Sequence, residues 1–252
     1  MKTHHVAAIM AALSVLGGCG GDGGAGDSVD GGTPPPGVTT YSEVTPTPGS
    51  VDTFTSVWVD EALNTVAEGY EERVTAVDPD GSYQLTLDDP SNQTITVNGI
   101  TYHYNPEVAQ YGATSANNVV SGYTDTLPSG AIATCTVAFR SGIHAKPYYV
   151  GQTFSTHETD TCGSVSTEYV TAGSVTAVES VTVPAGTFSA LKESYSTSWT
   201  TASGQAIVMH TDLWMDPAHG FFTLKRVSTY ERSGNVPVHH VTTQTIELQS
   251  RH

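Results

Sequence analysis

The stretch Arg73-Val74-Thr75-Ala76-Val77-Asp78-Pro79-Asp80-Gly81-Ser82-Tyr83-Gln84-Leu85-Thr86-Leu87 decides the fold class. Two runs rich in β-branched and aromatic residues flank Asp-Pro-Asp-Gly. Proline fixes φ there and glycine supplies a positive one, so the stretch reads as strand, tight turn, strand. Thr94 to Val97 and Ile100 to Tyr104 repeat the arrangement around Asn98-Gly99, a favoured two-residue hairpin pair. Further runs of this kind are Phe54 to Val59, Ile132 to Phe139, Tyr148 to Phe154, Val165 to Val183 with a break, Phe188 to Trp199, Ala206 to Met215, Phe222 to Tyr230 and Val238 to Leu248. A helical turn is expected only around Pro106 to Tyr111, and no segment carries three turns of apolar stripe. The expected fold is all-β, with antiparallel curved sheets forming a half-barrel or a sandwich.

Composition points the same way. Of 252 residues 13% are charged and 38% hydrophobic, with 25 Gly, 13 Pro and 37 Thr. Thr, Val, Tyr and Gly suit pleated surfaces with many turns. The 9 Lys+Arg against 25 Asp+Glu give a formal charge of -16, which repels phosphate backbones and excludes nucleic acid as a partner.

The body contains matching segments. Val74-Thr75-Ala76-Val77-Asp78 parallels Val175-Thr176-Ala177-Val178-Glu179, Asp52-Thr53-Phe54 parallels Gln152-Thr153-Phe154, and Tyr104-Asn105-Pro106 parallels Met215-Asp216-Pro217. The order is kept while the offset drifts, as loop insertions produce. Two similar halves are therefore expected, 51–140 and 141–252.

At the N-terminus Lys2 precedes an apolar run from Val6 to Leu16, too short to span a bilayer as a helix. The run ends in Leu16-Gly17-Gly18-Cys19. This resembles the signal of bacterial lipoproteins. The resemblance implies removal of 1–18, acylation of Cys19, and attachment to a membrane through that lipid. In the enteric members Asp after the Cys retains the protein in the inner membrane; Gly20 stands there, which implies the outer membrane. Residues 19–50 are Gly-, Asp-, Thr- and Pro-rich with no apolar period, and are expected to form a disordered tether.

Two further cysteines, Cys135 and Cys162, are expected to form a disulfide in the oxidising compartment outside the inner membrane. The bridge would tie a long Ser-, Gly- and Thr-rich connection to the strand around Cys135 and stabilise the fold by roughly 3–4 kcal/mol. Val181-Thr182-Val183-Pro184-Ala185-Gly186-Thr187-Phe188 and the later Leu213-Trp214-Met215-Asp216-Pro217 to Lys225-Arg226 resemble segments of uncharacterised exported bacterial proteins. That resemblance implies a curved antiparallel β fold and supplies no catalytic residues. Locally, Pro184 should end pairing and Gly186 take positive φ.

No nucleophile elbow, phosphate loop, zinc-protease helix or dinucleotide fingerprint occurs. No cofactor and no metal site is expected: His157, Glu158 and Asp160 read as a solvated acidic loop, and Asp78, Asp80 and Gly81 as a turn. His239 and His240 point to opposite faces, as do Lys225 and Arg226, one of which could grip an acidic ligand head inside a curved sheet. The aromatics Trp58, Trp199, Trp214, Phe188 and Phe222 are expected in the core, or lining an apolar ligand groove. The functional expectation is a lipid-anchored, non-enzymatic envelope protein of binding or assembly type, its ligand a lipid, a glycan or another envelope protein. An envelope-polymer hydrolase and a purely structural surface lipoprotein are the alternatives.

Overall fold

The structure is a computed structural model that describes residues 33–42, 44–79, 81–88, 94–97, 100–103, 107–113, 118–126, 132–143, 146–220, 222–236 and 240–252. Cys19, the expected signal and the first part of the expected tether lie outside the described residues. The strands are β1 (Val51–Asp60), β2 (Thr65–Val77), β3 (Tyr83–Asp88), β4 (Thr94–Val97), β5 (Ile100–His103), β6 (Glu107–Ala113), β7 (Asn118–Thr126), β8 (Ile132–Ile143), β9 (Thr153–Cys162), β10 (Val165–Val183), β11 (Gly186–Thr200), β12 (Ala206–Asp216), β13 (Phe222–Ser233) and β14 (Val241–Arg251). A short 3-10 turn, Pro217–His219, joins β12 to β13. The class is all-β and antiparallel, as the sequence indicates.

Twelve strands pair in the order β1-β14-β13-β12-β11-β10-β9-β8-β7-β6-β3-β2, and β2 pairs again with β1. The pairing thus forms a ring in which the first and last strands of the chain are neighbours. Strands β4 and β5 pair separately, with Val97 opposite Ile100, in the register the sequence predicts. Residue 140 lies inside β8, which pairs with β7 on one side and β9 on the other.

Alternation sorts the side chains. Facing inward are Phe54 and Ser56 on β1, Tyr195, Thr197 and Trp199 on β11, Met209, Leu213 and Met215 on β12, and Ile246 and Leu248 on β14. Ser194, Ser196 and Ser198 on β11 and His210 and Asp212 on β12 face outward. The apolar interior falls into three clusters. One surrounds Phe154, Val175, Leu191, Tyr195, Met209 and Met215. A second holds Val74, Tyr83, Leu85, Leu87, Tyr123 and Cys135. In the third, Val181, Val183 and Ala190 from the far end of the β10–β11 hairpin pack on Phe54, Leu224, Ile246 and Leu248. That hairpin end is also tied to β14 by Ala185 N–H donating to Leu248 O at 3.2 Å.

A bulge lets the hairpin fold over. The β10–β11 register slips between Val175 and Ala177, leaving Thr176 as the extra residue. The same slip occurs in β2–β3 between Val74 and Ala76, leaving Thr75. An extra residue bends the strand and increases its twist. The two sites match in detail. Thr75 Oγ1 donates to Gln84 O and Thr176 Oγ1 to Lys192 O, both at 3.3 Å. Val74 exchanges backbone bonds with Gly49 and Ser50, and Val175 with Gly151 and Gln152. Gly49 and Gly151 both take positive φ, 86° and 94°.

Several expectations need correction. The helical turn placed around Pro106 to Tyr111 is strand β6 over Glu107–Ala113; its register with β3 and β7 outweighs the weak local preference. Of the expected disordered tether 19–50, Tyr41 and Pro46 lie against the body. Tyr41 and Tyr148 exchange backbone hydrogen bonds of 2.8 and 2.9 Å, and Pro46 is buried. The segment around His157 to Cys162 is not a solvated loop but the C-terminal half of β9. Its alternation, Phe154, Thr156, Glu158 and Asp160 inward, follows a strand period that its acidic composition masks.

Gly173 is opposite Tyr195, and a Cβ on Gly173 would meet Tyr195 Cβ and come within 2.6 Å of Ser194 O. Only glycine lets the aromatic ring lie over the strand there. Gly173→Ala is expected to destabilise the protein by about 1–3 kcal/mol, as overpacking does, measured by urea denaturation. An unchanged midpoint would show that the strand relaxes freely.

Candidate functional site: the charged interior of the ring

An interior built from alternating strands should be apolar, yet Asp52, Asp60, Glu68, Glu158, Asp160, Glu193, Asp216 and Arg226 are all buried. Burying a charge is costly unless it is paired or hydrogen-bonded. What satisfies each group therefore separates structural pairs from candidate binding groups.

Arg226 forms the centre. Of the Lys225-Arg226 pair, Lys225 faces outward and binds Glu247 at 2.7 Å, while Arg226 faces inward and is 3% exposed. Its Nη2 donates to Gln244 Oε1 at 2.9 Å. Gln244 Nε2 donates to Ser56 Oγ at 3.0 Å, and Tyr230 OH donates to the same Gln244 Oε1 at 3.2 Å. Thr211 and Ser228 share a hydrogen bond of 2.9 Å alongside. Burial raises the phenols of Tyr70, Tyr195 and Tyr230, and the Arg226 charge partly opposes this in each. Glu72 turns inward from β2. Burial first, and then the charge of Asp52, push its carboxyl up to about 7, against the pull of Arg226 and Arg251.

At one end of the ring Arg251 clamps two carboxylates. Its Nε and Nη2 reach Asp52 Oδ1 and Oδ2, both at 2.8 Å, and its Nη1 reaches Asp216 Oδ2 at 2.7 Å. Asp216 Oδ1 accepts from Ala218 N–H at 3.0 Å, capping the short 3-10 turn, and His219 Nδ1 lies 2.6 Å from Asp216 Oδ2. Asp52 and Arg251 are direct cross-strand partners, so this bidentate pair joins the chain's first and last strands. Elsewhere Asp60 accepts from the amides of Ala62 and Asn64 in the loop after β1, and Glu68 accepts from the Trp58 indole at 3.1 Å.

Asp160 differs from these. Its Oδ2 accepts from Tyr123 OH at 2.9 Å, whereas its buried Oδ1 has no hydrogen-bond partner. Burial pushes its carboxyl up to about 6, against the lowering effect of the Tyr123 bond. Glu158, two residues earlier, is 2% exposed on the same face. Tyr169 pairs opposite Glu158 and packs on Trp199 with ring centroids 5.6 Å apart. Tyr123 also lies 3.7 Å from Cys162 Sγ. Cys162 and Cys135 form the expected disulfide. The two are direct cross-strand partners, so the bridge links β8 to β9 instead of pinning a long connection.

The singled-out residues separate. Trp199 belongs to the first apolar cluster, Phe188 and Trp214 lie against the third, and Phe222 lies against the second. Trp214 faces outward, gives its indole N–H to Glu179 and stacks beneath Lys192, whose Nζ is 4.8 Å from the ring centroid. The five aromatics thus share no single cluster. His157 faces outward toward Glu168 at 3.8 Å, away from Glu158 and Asp160. His210 Nδ1 lies 2.7 Å from Ser196 Oγ and its Nε2 3.6 Å from Glu231 Oε1; all three are on the outer face. His239 is outside the described residues. Sequence reasoning missed Asp52, Glu72, Glu193 and Arg251. The available signal was an acid or arginine at the inward parity of an otherwise apolar strand, as in Phe54 with Asp52.

The chain is similar to two solved structures. A "putative lipoprotein" from Parabacteroides distasonis is similar over 84% of this chain and 99% of its own, at 15% identity and a TM-score of 0.50. A "putative exported protein with YmcC-like fold" from Bacteroides fragilis is similar over 85% of this chain and 100% of its own, at 13% identity and a TM-score of 0.45. The likeness to the first is one of fold. No protein-family model matches the chain, and no curated protein matches it.

Asp160 gives a pH prediction. Its folded value lies above its ordinary one, so the folded protein holds that proton to higher pH than the unfolded chain does. Stability from this group is complete below about pH 4, falls as pH rises to about 6, and stays low above. Asp160→Asn keeps an acceptor for Tyr123 and removes the charge. It should raise thermal stability at pH 8, by at most about 3 kcal/mol, and leave it little changed at pH 4. An equal effect at both pH values would contradict a buried, proton-holding carboxyl.

Proposed function

We propose that this chain is an exported, lipid-anchored protein of the bacterial cell envelope, with a β body that serves as a non-catalytic binding or assembly module. Support for export and anchoring comes from Leu16-Gly17-Gly18-Cys19 after an apolar run and from the Cys135–Cys162 disulfide, which suits an oxidising compartment. Gly20 favours the outer membrane. The body itself stays out of the bilayer in this reading: its outward rows carry Ser, His, Asp, Lys and Glu, where a lipid-facing barrel needs an apolar band. Its ligand belongs to the lipids, glycans or proteins of the envelope.

The observation that carries the non-catalytic reading is the placement of Ser196 and His210. With Glu231 they follow the order hydroxyl, imidazole, carboxylate that a hydrolase would use. Yet they stand on the outer face of β11, β12 and β13, with Glu231 side chain 75% exposed. Strands β11 and β12 are paired on both sides, so their amides are committed to the ladder and none is offered to a developing oxyanion. Of the inward acids, Asp52 and Asp216 are clamped by Arg251, and Asp60 and Glu68 accept from fixed donors. In the same reading the body consists of two similar halves within one ring, supported by the matching bulges at Thr75 and Thr176.

Cys19→Ala tests the anchor. In a bacterial host the unaltered protein should incorporate labelled fatty acid and sediment with outer membranes, while the variant should do neither and be recovered in the soluble fraction. Equal labelling of the two would overturn the lipoprotein reading.

A further inference from the structure

We propose that the inward face of β9 at Asp160 and Glu158, flanked by Tyr123, Tyr169 and Trp199, binds a primary ammonium group. This builds on the binding reading above but not on the lipid anchor. The argument starts from Asp160 Oδ1, a carboxylate oxygen on a residue 6% exposed and with no hydrogen-bond donor. Such an oxygen is stabilised either by a proton or by a positively charged donor. Its partner oxygen is already held by Tyr123, which restrains the carboxylate. Glu158 is on the same face two residues away, about 7 Å along the strand.

The flanking side chains are aromatic. Tyr169 pairs opposite Glu158 and contacts Trp199, and Tyr123 stands on the other side of Asp160. Aromatic faces attract cations. Among the described residues no group of three or more His, Cys, Asp or Glu side chains could hold a metal ion, so two carboxylates among rings fit an organic cation better than a metal. A primary ammonium carries the N–H donors that Asp160 Oδ1 lacks; a quaternary one does not. The bound group would sit as a compact charge against Asp160, its alkyl stem lying along Trp199.

Calorimetric titration of the full chain at pH 8 tests this, with n-propylammonium chloride as probe and tetramethylammonium and calcium chlorides as comparators. Saturable binding of n-propylammonium is expected, at least tenfold tighter than tetramethylammonium and with no saturable calcium binding. Asp160→Asn should weaken it at least tenfold while keeping the far-ultraviolet circular dichroism and thermal transition of the folded protein. Glu158→Gln, as a second variant, should weaken it less. No saturable binding of n-propylammonium, equal binding of the quaternary ion, saturable calcium binding, or full binding by a folded Asp160→Asn protein would each overturn the proposal. None of these results bears on where the Cys19→Ala protein fractionates, so the two readings fail separately.

Discussion

The Asp52–Arg251 pair joins residues 199 apart in sequence and sits where β14 closes against β1. Without that junction β1 and β14 would be edge strands, with rows of unmet backbone donors and acceptors. With it, all twelve ring strands have neighbours on both sides. A bidentate arginine–carboxylate contact fixes angle as well as distance, and the third bond to Asp216 extends the clamp to the end of β12. The whole register follows from this junction: a slip of one residue between β1 and β14 would turn Phe54, Leu248 and Ile246 outward.

The clamp also explains why so polar an interior is tolerated. Arg226 is held by Gln244, which is held in turn by Ser56 and Tyr230, so the central cation is set in a connected network. Such networks are stable when every member is satisfied and costly when one is not. Asp160 lies outside that network, and its Oδ1 lacks a donor. That oxygen is one of several buried polar atoms without a hydrogen-bond partner, with Glu158 Oε2, both Glu193 oxygens and Arg226 Nε among the others; at Asp160 the other oxygen is already fixed by Tyr123.

Strands with clear period-two alternation were legible in the sequence. Strands β2 and β3, and β4 and β5, pair as the intervening turn residues indicate, because proline, asparagine and glycine act locally. Gly186 takes the positive φ, 140°, expected after Pro184. Strand β6 was not legible, since Glu107 to Ala113 carries one β-branched residue and is fixed by neighbours in β3 and β7. The C-terminal half of β9 was hidden for a related reason. Glu158 and Asp160 look solvated in isolation, and only the ring places them inside. The aromatic residues illustrate the converse limit: Trp214 and Trp199 read alike in sequence, yet alternation sends one outward to Lys192 and the other inward to Tyr169. The matching bulges were foreshadowed by the Val-Thr-Ala-Val repeats, although a repeat in sequence does not by itself say that Thr will be the extra residue.

Native-state hydrogen exchange tests ring closure through β1 and β14 most directly. If the junction holds the fold together, the amides of Phe54 to Val59 and of Thr243 to Leu248 that serve the β1–β14 ladder exchange only through global unfolding, with the same free energy as the central amides of β11 and β12. Exchange of the β1–β14 amides through a local opening of much lower free energy, while β11 and β12 remain protected, would contradict the account.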